Sequence, residues 1–169
     1  IIFFMFLAGI NFSLHFHAMS GSIKTYFRDT EFLVYFLIII FISSIIFFSL
    51  SYQSNTFSDL TLRESLFGTI AMLTGTGYVL GDYEIWPVFL QMILLTLMFV
   101  GGMGGSTTGG MKVIRVLLLV KYAALETRRM LHSKALIPVK IGKQLIIEDV
   151  VRNTLGFFLF FMSAFIISA

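Results

Sequence analysis

Cysteine is absent from the 169 residues, which excludes a disulfide framework and a thiolate metal site within them. Charge is scarce. Asp, Glu, Lys and Arg make up 12% of the chain, against about a quarter in a soluble domain. No Ser/His/Asp triad, catalytic carboxylate pair or metal cluster is evident, so the reading is not that of an enzyme. His15 and His17 are two positions apart. On a helix they would point about 200° apart, which disfavours one shared ion and leaves packing near the cytoplasmic end. The first residues include no initiator Met or basic leader, and the last lie within an apolar run. No cleavable signal peptide is read from them, and the expectation is an internal fragment of a longer membrane protein.

What is abundant is hydrophobic sequence, at 57% of residues. It comes in blocks rather than stripes. Formal charge is missing from 1–23 (His15 and His17 aside), 32–58, 85–111 and 153–169. A spanning helix needs about 20 mostly apolar residues, so the chain holds roughly four membrane-scale segments. Nine of the twelve Lys and Arg lie between Lys112 and Arg152, and Lys24 and Arg28 lie in an earlier loop. The positive-inside rule places 21–31 and 112–152 in the cytoplasm and 53–84 outside. This clustering marks cytoplasmic loops and not a nucleic-acid surface.

The outer connection is too long for a tight hairpin and too apolar for a solvated loop. In "SDLTLRESLFGTIAML", Ser58 or Asp59 can cap a helix, and apolar positions follow at 62, 66, 67, 70 and 73. A helix over 61–73 is about 20 Å long, short of a hydrocarbon core of about 30 Å. "TGTGY" follows, then Asp82 and Glu84. One reading is a re-entrant pore loop. Its carbonyls would converge on a cation, the helix C-terminus would aim its negative dipole end there, and the acids would concentrate cations at the mouth. The other reading is a plain glycine turn between two spanning helices.

The apolar run from Trp86 to Val120 would be about 52 Å long as one helix, too long for the bilayer. It contains "GGMGGSTTGG", in which six of ten residues are glycine. Each interior glycine costs a helix about 1 kcal/mol relative to alanine. Gly101, Gly105 and Gly109 also have GxxxG spacing, which lets helices pack closely. A packing helix needs only one small-residue face, whereas these glycines are adjacent and Ser106, Thr107 and Thr108 add three hydroxyls. An irregular loop lining a cavity is favoured. A phosphate-binding loop is not, because Gly110 occupies the position that motif gives to Lys.

"GGMGGSTTGGMKVIRVLLLVKY", "TGTGY…GDYEIWP" and "AGINFSLHF" together resemble the TrkH subfamily of the TrkH/KtrB/HKT potassium transporters. The resemblance runs through essentially the whole chain. It implies an all-α integral membrane fold of membrane–pore–membrane repeats, with a re-entrant pore helix and a broken second helix. Residues 1–20 would end one repeat as its second transmembrane helix. Residues 21–30 would form a cytoplasmic loop, 31–120 a complete repeat, 121–145 a basic cytoplasmic linker, and 146–169 the first helix of the next repeat. Thr74, Gly75, Thr76, Gly77 and Tyr78 would supply one quarter of a selectivity filter. Gly101, Gly102, Gly104, Gly105, Ser106, Thr107, Thr108, Gly109 and Gly110 would form an intramembrane gating loop beneath it. Many relatives have Thr where this chain has Gly75, and often a Cys-Ala pair where it has Met103-Gly104. The family's gate also uses a basic residue from the fourth repeat.

The function so implied is potassium uptake across the bacterial inner membrane by a multi-pass pore subunit. K+ would be the transported ion and the only metal at the filter, with no cofactor. The implied partners are the lipid bilayer, a second copy in a homodimer and a cytoplasmic TrkA-like nucleotide-binding regulatory subunit; no nucleic acid is implied. Two alternatives stand beside it. One is a membrane structural or interaction subunit with GxxxG packing, and the other a proton-coupled cation symporter with a broken-helix site. Lys112 and Arg115 adjoin the loop, and anchoring at the cytoplasmic interface is their expected role.

Overall fold

The computed structural model describes residues 1–54, 58–131, 140–141, 144–145 and 148–168. Two compact units divide it, Ile1–Val113 and Ile114–Ala169.

The first unit starts with α1 (Ile2–Ala8) and α2 (Phe12–Met19), which meet at 104°. The 1–20 segment is thus bent sharply between two short helices. Gly9 sits at the break because space allows nothing larger: a Cβ there would lie 2.1 Å from the Tyr35 hydroxyl. Asn11 restarts the chain as a helix, its side chain accepting from the Ser13 amide at 2.8 Å. The short α3 (Lys24–Arg28) leads to α4 (Thr30–Ser54). Asp29 begins α4 by accepting from the Phe32 amide at 2.8 Å. At 25 residues, α4 is about 37 Å long and apolar enough to span a bilayer.

The pore-helix expectation of 61–73 becomes α5 (Asp59–Thr74). Ser58 caps it, accepting from the Thr61 amide at 3.2 Å. α5 packs against α1, α4 and α6 (Val88–Val100), and buries Phe67, Ile70, Ala71 and Leu73. Sixteen residues give about 24 Å, short of the roughly 30 Å of a hydrocarbon core. The chain returns through a 3-10 turn at Tyr83–Ile85, where the rings of Tyr83 and Trp86 meet edge-on at 4.8 Å beside Gly68.

α6 stops at Gly101, and α7 (Val113–Leu131) begins only after residue 112. The long apolar run is broken as its glycines require. No described residue from Gly101 to Lys112 is helical, so GxxxG packing of a continuous helix is excluded there.

The second unit holds nearly all of α7, a two-residue antiparallel ladder of β1 (Lys140–Ile141) with β2 (Gln144–Leu145), and α8 (Glu148–Ser168). The 121–145 segment, expected as a linker, starts as the continuation of α7 to Leu131. Its residues 132–139 and 142–143 lie outside the described ones. The ladder is the single exception to an all-helical fold among the described residues. α8 is apolar enough to span from Asp149 to Ile167. The Arg115 guanidinium lies 4.2 Å from the Phe157 ring centroid, a cation–π contact.

Candidate functional site: a glycine loop beside a glycine turn

α5 ends in a left-handed cap. Gly75 has φ 66°, its amide donates to the Met72 carbonyl, and the Thr76 amide reaches back to Ala71 at 3.1 Å. This Schellman pattern explains why glycine rather than threonine suits position 75 here. Gly77 also has positive φ, at 72°, while Thr76 and Tyr78 do not. Alternating φ signs allow successive peptide planes to turn the same way, the requirement for converging carbonyls. Thr74 is buried and donates to Ile70 at 2.7 Å. Residues 75–80 are exposed, with nothing within 4 Å of a Cβ on Gly77. Asp82 caps the following turn by accepting from the Glu84 amide at 3.0 Å, and burial pushes the Tyr83 hydroxyl above its ordinary pKa.

The glycine segment is a loop whose two ends touch. A Cβ on Gly101 would lie 2.3 Å from the Gly109 carbonyl oxygen, and one on Gly110 would lie 3.0 Å from the Gly101 Cα. The Met111 amide donates to Phe99 and the Val113 amide to Gly102, each at 2.9 Å. These bonds close the neck. Compact loops with touching ends are often functional. Inside it, Thr108 Oγ1 accepts from the Gly102 amide at 3.1 Å, and Ser106 Oγ donates to Met103 at 2.5 Å.

Three outside elements hold this loop. The first is the α1–α2 break. A broken helix at membrane depth leaves carbonyls and amides that need partners. Met103 donates to Gly9 at 2.9 Å, Thr107 Oγ1 donates to Ala8 at 3.2 Å, and the Phe12 amide donates to Gly105 at 3.1 Å. The second is Glu31, 8% exposed in the first turn of α4, whose carboxylate accepts from the Gly104 amide at 2.6 Å. The third is Lys112, whose ammonium bends back onto the loop, 3.0 Å from Thr108 Oγ1. The anchoring expected for Lys112 from its sequence position did not include this contact with the loop.

The filter-like turn and the loop come together. A Cβ on Gly75 would lie 4.0 Å from the Gly109 amide nitrogen, and Thr76 Oγ1 approaches Met5 Sδ at 3.2 Å. His15 reinforces the break. Its Nε2 donates to the Leu7 carbonyl at 3.0 Å, which leaves Nδ1 to accept from the Tyr26 hydroxyl at 2.7 Å. Burial pushes Tyr26 above its ordinary pKa. Sequence reasoning gave Glu31 no role and His15 only a packing one, because their partners lie far along the chain or across a bend.

A family model described as TrkH, cation transport protein, matches residues 1–169. The chain belongs to the TrkH family. Relatives agree. The chain is 35% identical to the Trk system potassium uptake protein TrkH of Escherichia coli K12, over 98% of this chain and 35% of that protein. It is 38% identical to the protein of the same name from Halomonas elongata, over 92% of this chain and 32% of that one. Among solved structures, the potassium transporter TrkH from Vibrio parahaemolyticus superposes with a TM-score of 0.91 at 33% identity, covering 98% of this chain and 36% of that chain. This TrkH-family chain thus spans about a third of the length of the relatives it matches. The family is one of membrane transporters and not of enzymes, as the motifs implied.

Proposed function

We propose that this chain supplies one quarter of a potassium-conducting pore in a multi-pass protein of the bacterial inner membrane. Thr74, Gly75, Thr76, Gly77 and Tyr78 contribute to the filter, and the loop from Gly101 to Gly110 is the gate below it. The observation that carries the reading is the approach of Gly109 to Gly75, which sets a closed glycine loop directly against the end of the pore helix. The names of the relatives, which describe potassium uptake, support the choice of ion. Extracellular orientation of 58–84 and cytoplasmic placement of Arg128 and Arg129 follow the distribution of basic residues.

Entry needs no catalysis. The membrane potential supplies about 2.3 kcal/mol per charge per 100 mV. The filter replaces part of the ion's hydration with backbone oxygens, and displacement of the loop opens the route onward. A homodimer and a cytoplasmic nucleotide-binding regulatory subunit complete the proposed assembly.

The test is rubidium or potassium uptake by the full-length protein in a transport-deficient host. Uptake restored by the parent chain is expected, and no uptake from a well-expressed protein contradicts the reading. Gly77→Ser, placed at φ 72° with open space around it, should weaken discrimination against sodium. An unaltered potassium-to-sodium ratio removes Gly77 from the filter.

A further inference from the structure

Two arginines of the second unit have no anion among the described residues. Arg115, on α7, lies over the Phe157 ring of α8 at 4.2 Å from its centroid. That contact uses none of its five N–H donors, and no described residue accepts from them. Phe157 lies eight residues, about 12 Å, into the apolar stretch that begins at Asp149. A cation at that depth is costly unless an anion meets it. Arg152, exposed in the second turn of α8, makes no ion pair with Asp149 one turn before it. The Tyr122 hydroxyl also has no hydrogen-bond partner among the described residues.

These groups line one groove. Arg115 and Tyr122 are seven residues apart on α7 and so share a face. Tyr122 faces Val151, Arg152 and Leu155 of α8 across a cavity of about 180 Å³. Arg115 meets α8 further along, at Phe157, so the two helices run antiparallel and the two guanidiniums flank the cavity. Arg128 and Arg129, in the last turn of α7, mark this end of the pair as cytoplasmic. Towards the membrane the groove turns apolar. Leu155, Leu159 and Ile166 follow one side of α8, the last two 66% and 70% exposed. They cover about 16 Å, close to the depth of one leaflet.

A charged mouth above an apolar floor of this depth suits a lipid. A free anion would occupy the mouth alone and leave the floor bare. Guanidinium forks match the oxygens of a phosphodiester, and two unpaired cations repel the ammonium of a zwitterionic headgroup. Basic pockets between helices on the cytoplasmic side are suited to anionic headgroups. We propose that the groove between α7 and α8 binds one anionic phospholipid of the inner leaflet. Arg115, Tyr122 and Arg152 hold its phosphodiester, and an acyl chain lies along Leu155, Leu159 and Ile166. The site rests on the orientation of α7 and α8 and on neither the filter nor the gate.

The experiment uses the full-length protein in lipid nanodiscs, with phosphatidylglycerol carrying a photoreactive diazirine in one acyl chain. Labelled peptides are mapped by mass spectrometry. The expected result is labelling of 151–166 about tenfold above that from a phosphatidylethanolamine probe with the same chains. Arg115→Gln/Arg152→Gln should lower it about tenfold, while labelling of α4 stays at the parental level. Equal labelling by the two lipids, or unchanged labelling in the double variant, overturns the site. No labelling of 151–166 in the parent also overturns it, since another part of the protein then covers the groove. If the double variant does not fold, Arg152→Gln decides, because that exposed side chain has no partner to lose. Reduced labelling supports the site, and parental labelling overturns it. Excess inorganic phosphate separates lipid from free anion. Labelling that persists supports the lipid, and labelling that disappears assigns the mouth to free phosphate and overturns the lipid site.

Discussion

Alanine at position 101 should open the loop at its neck. Gly101 has φ 73° and ψ −175°, a region essentially restricted to glycine. Holding another residue there costs about 1–3 kcal/mol. The added Cβ would also lie 2.3 Å from the Gly109 carbonyl oxygen and 3.2 Å from the Gly110 Cα. Both are backbone atoms, so no rotamer change relieves the overlap. A combined cost of about 3 kcal/mol changes the closed-to-open ratio roughly 150-fold, which takes a loop closed at about 99:1 close to parity. Gly109→Ala is the internal control. It lies in the same loop, has no positive φ and has nothing within 4 Å of its Cβ. The assay is potassium efflux from liposomes containing the full-length protein, with sodium efflux measured alongside. Gly101→Ala should raise potassium flux strongly and Gly109→Ala should leave it near the parental level. Equal behaviour of the two variants, at equal expression, would refute the steric reasoning.

Two further outcomes follow from the loop's supports. Glu31→Ala removes the acceptor of the Gly104 amide, a charge-assisted bond worth about 1.5–3 kcal/mol. Hydrogen exchange of a peptide covering 101–111 should accelerate by about tenfold or more, with Glu31→Gln in between. Exchange equal to the parent's contradicts the tether. Gly9→Ala drives a methyl group to 2.1 Å from the Tyr35 hydroxyl and 2.8 Å from its Cζ. Overpacking of this kind costs about 1–3 kcal/mol, so the melting temperature of the purified protein should fall and Tyr35→Phe should restore part of it. A melting temperature equal to the parent's shows that the bend can give way.

Much of this arrangement is legible in the residues because it obeys local rules. Ser58 before an apolar run marks the start of α5, and "TGTGY" marks its end, since Gly75 supplies the left-handed cap. Adjacent glycines from 101 break the long run where helix propensity fails. The family motif lies in the same residues, so fold and family were readable together.

What escaped has long-range causes. The 104° break after Ala8 rests on one glycine, and its signal is only Asn11 standing as a cap before Phe12. What fixes the angle is Tyr35, 26 residues on, together with three bonds from a loop near residue 105. Glu31 meets Gly104 across 73 positions. Lys112 looks like any basic residue at a helix end, yet its backbone is left-handed at φ 77° and its ammonium lies 3.0 Å from Thr108 Oγ1.

The central claim is that the glycine loop closes an ion path. Its ends permit a direct test. A Cβ on Gly110 lies 3.0 Å from the Gly101 Cα, so the two Cα atoms are within about 4.5 Å, close to the 3.8 Å of consecutive residues. Deleting residues 102–109 therefore joins Gly101 to Gly110 across a gap close to that of one peptide unit. Potassium flux through the full-length deletion variant in liposomes is the measurement. The account predicts flux well above the parent's with an unchanged potassium-to-sodium ratio. Parental or lower flux from a folded variant would contradict it.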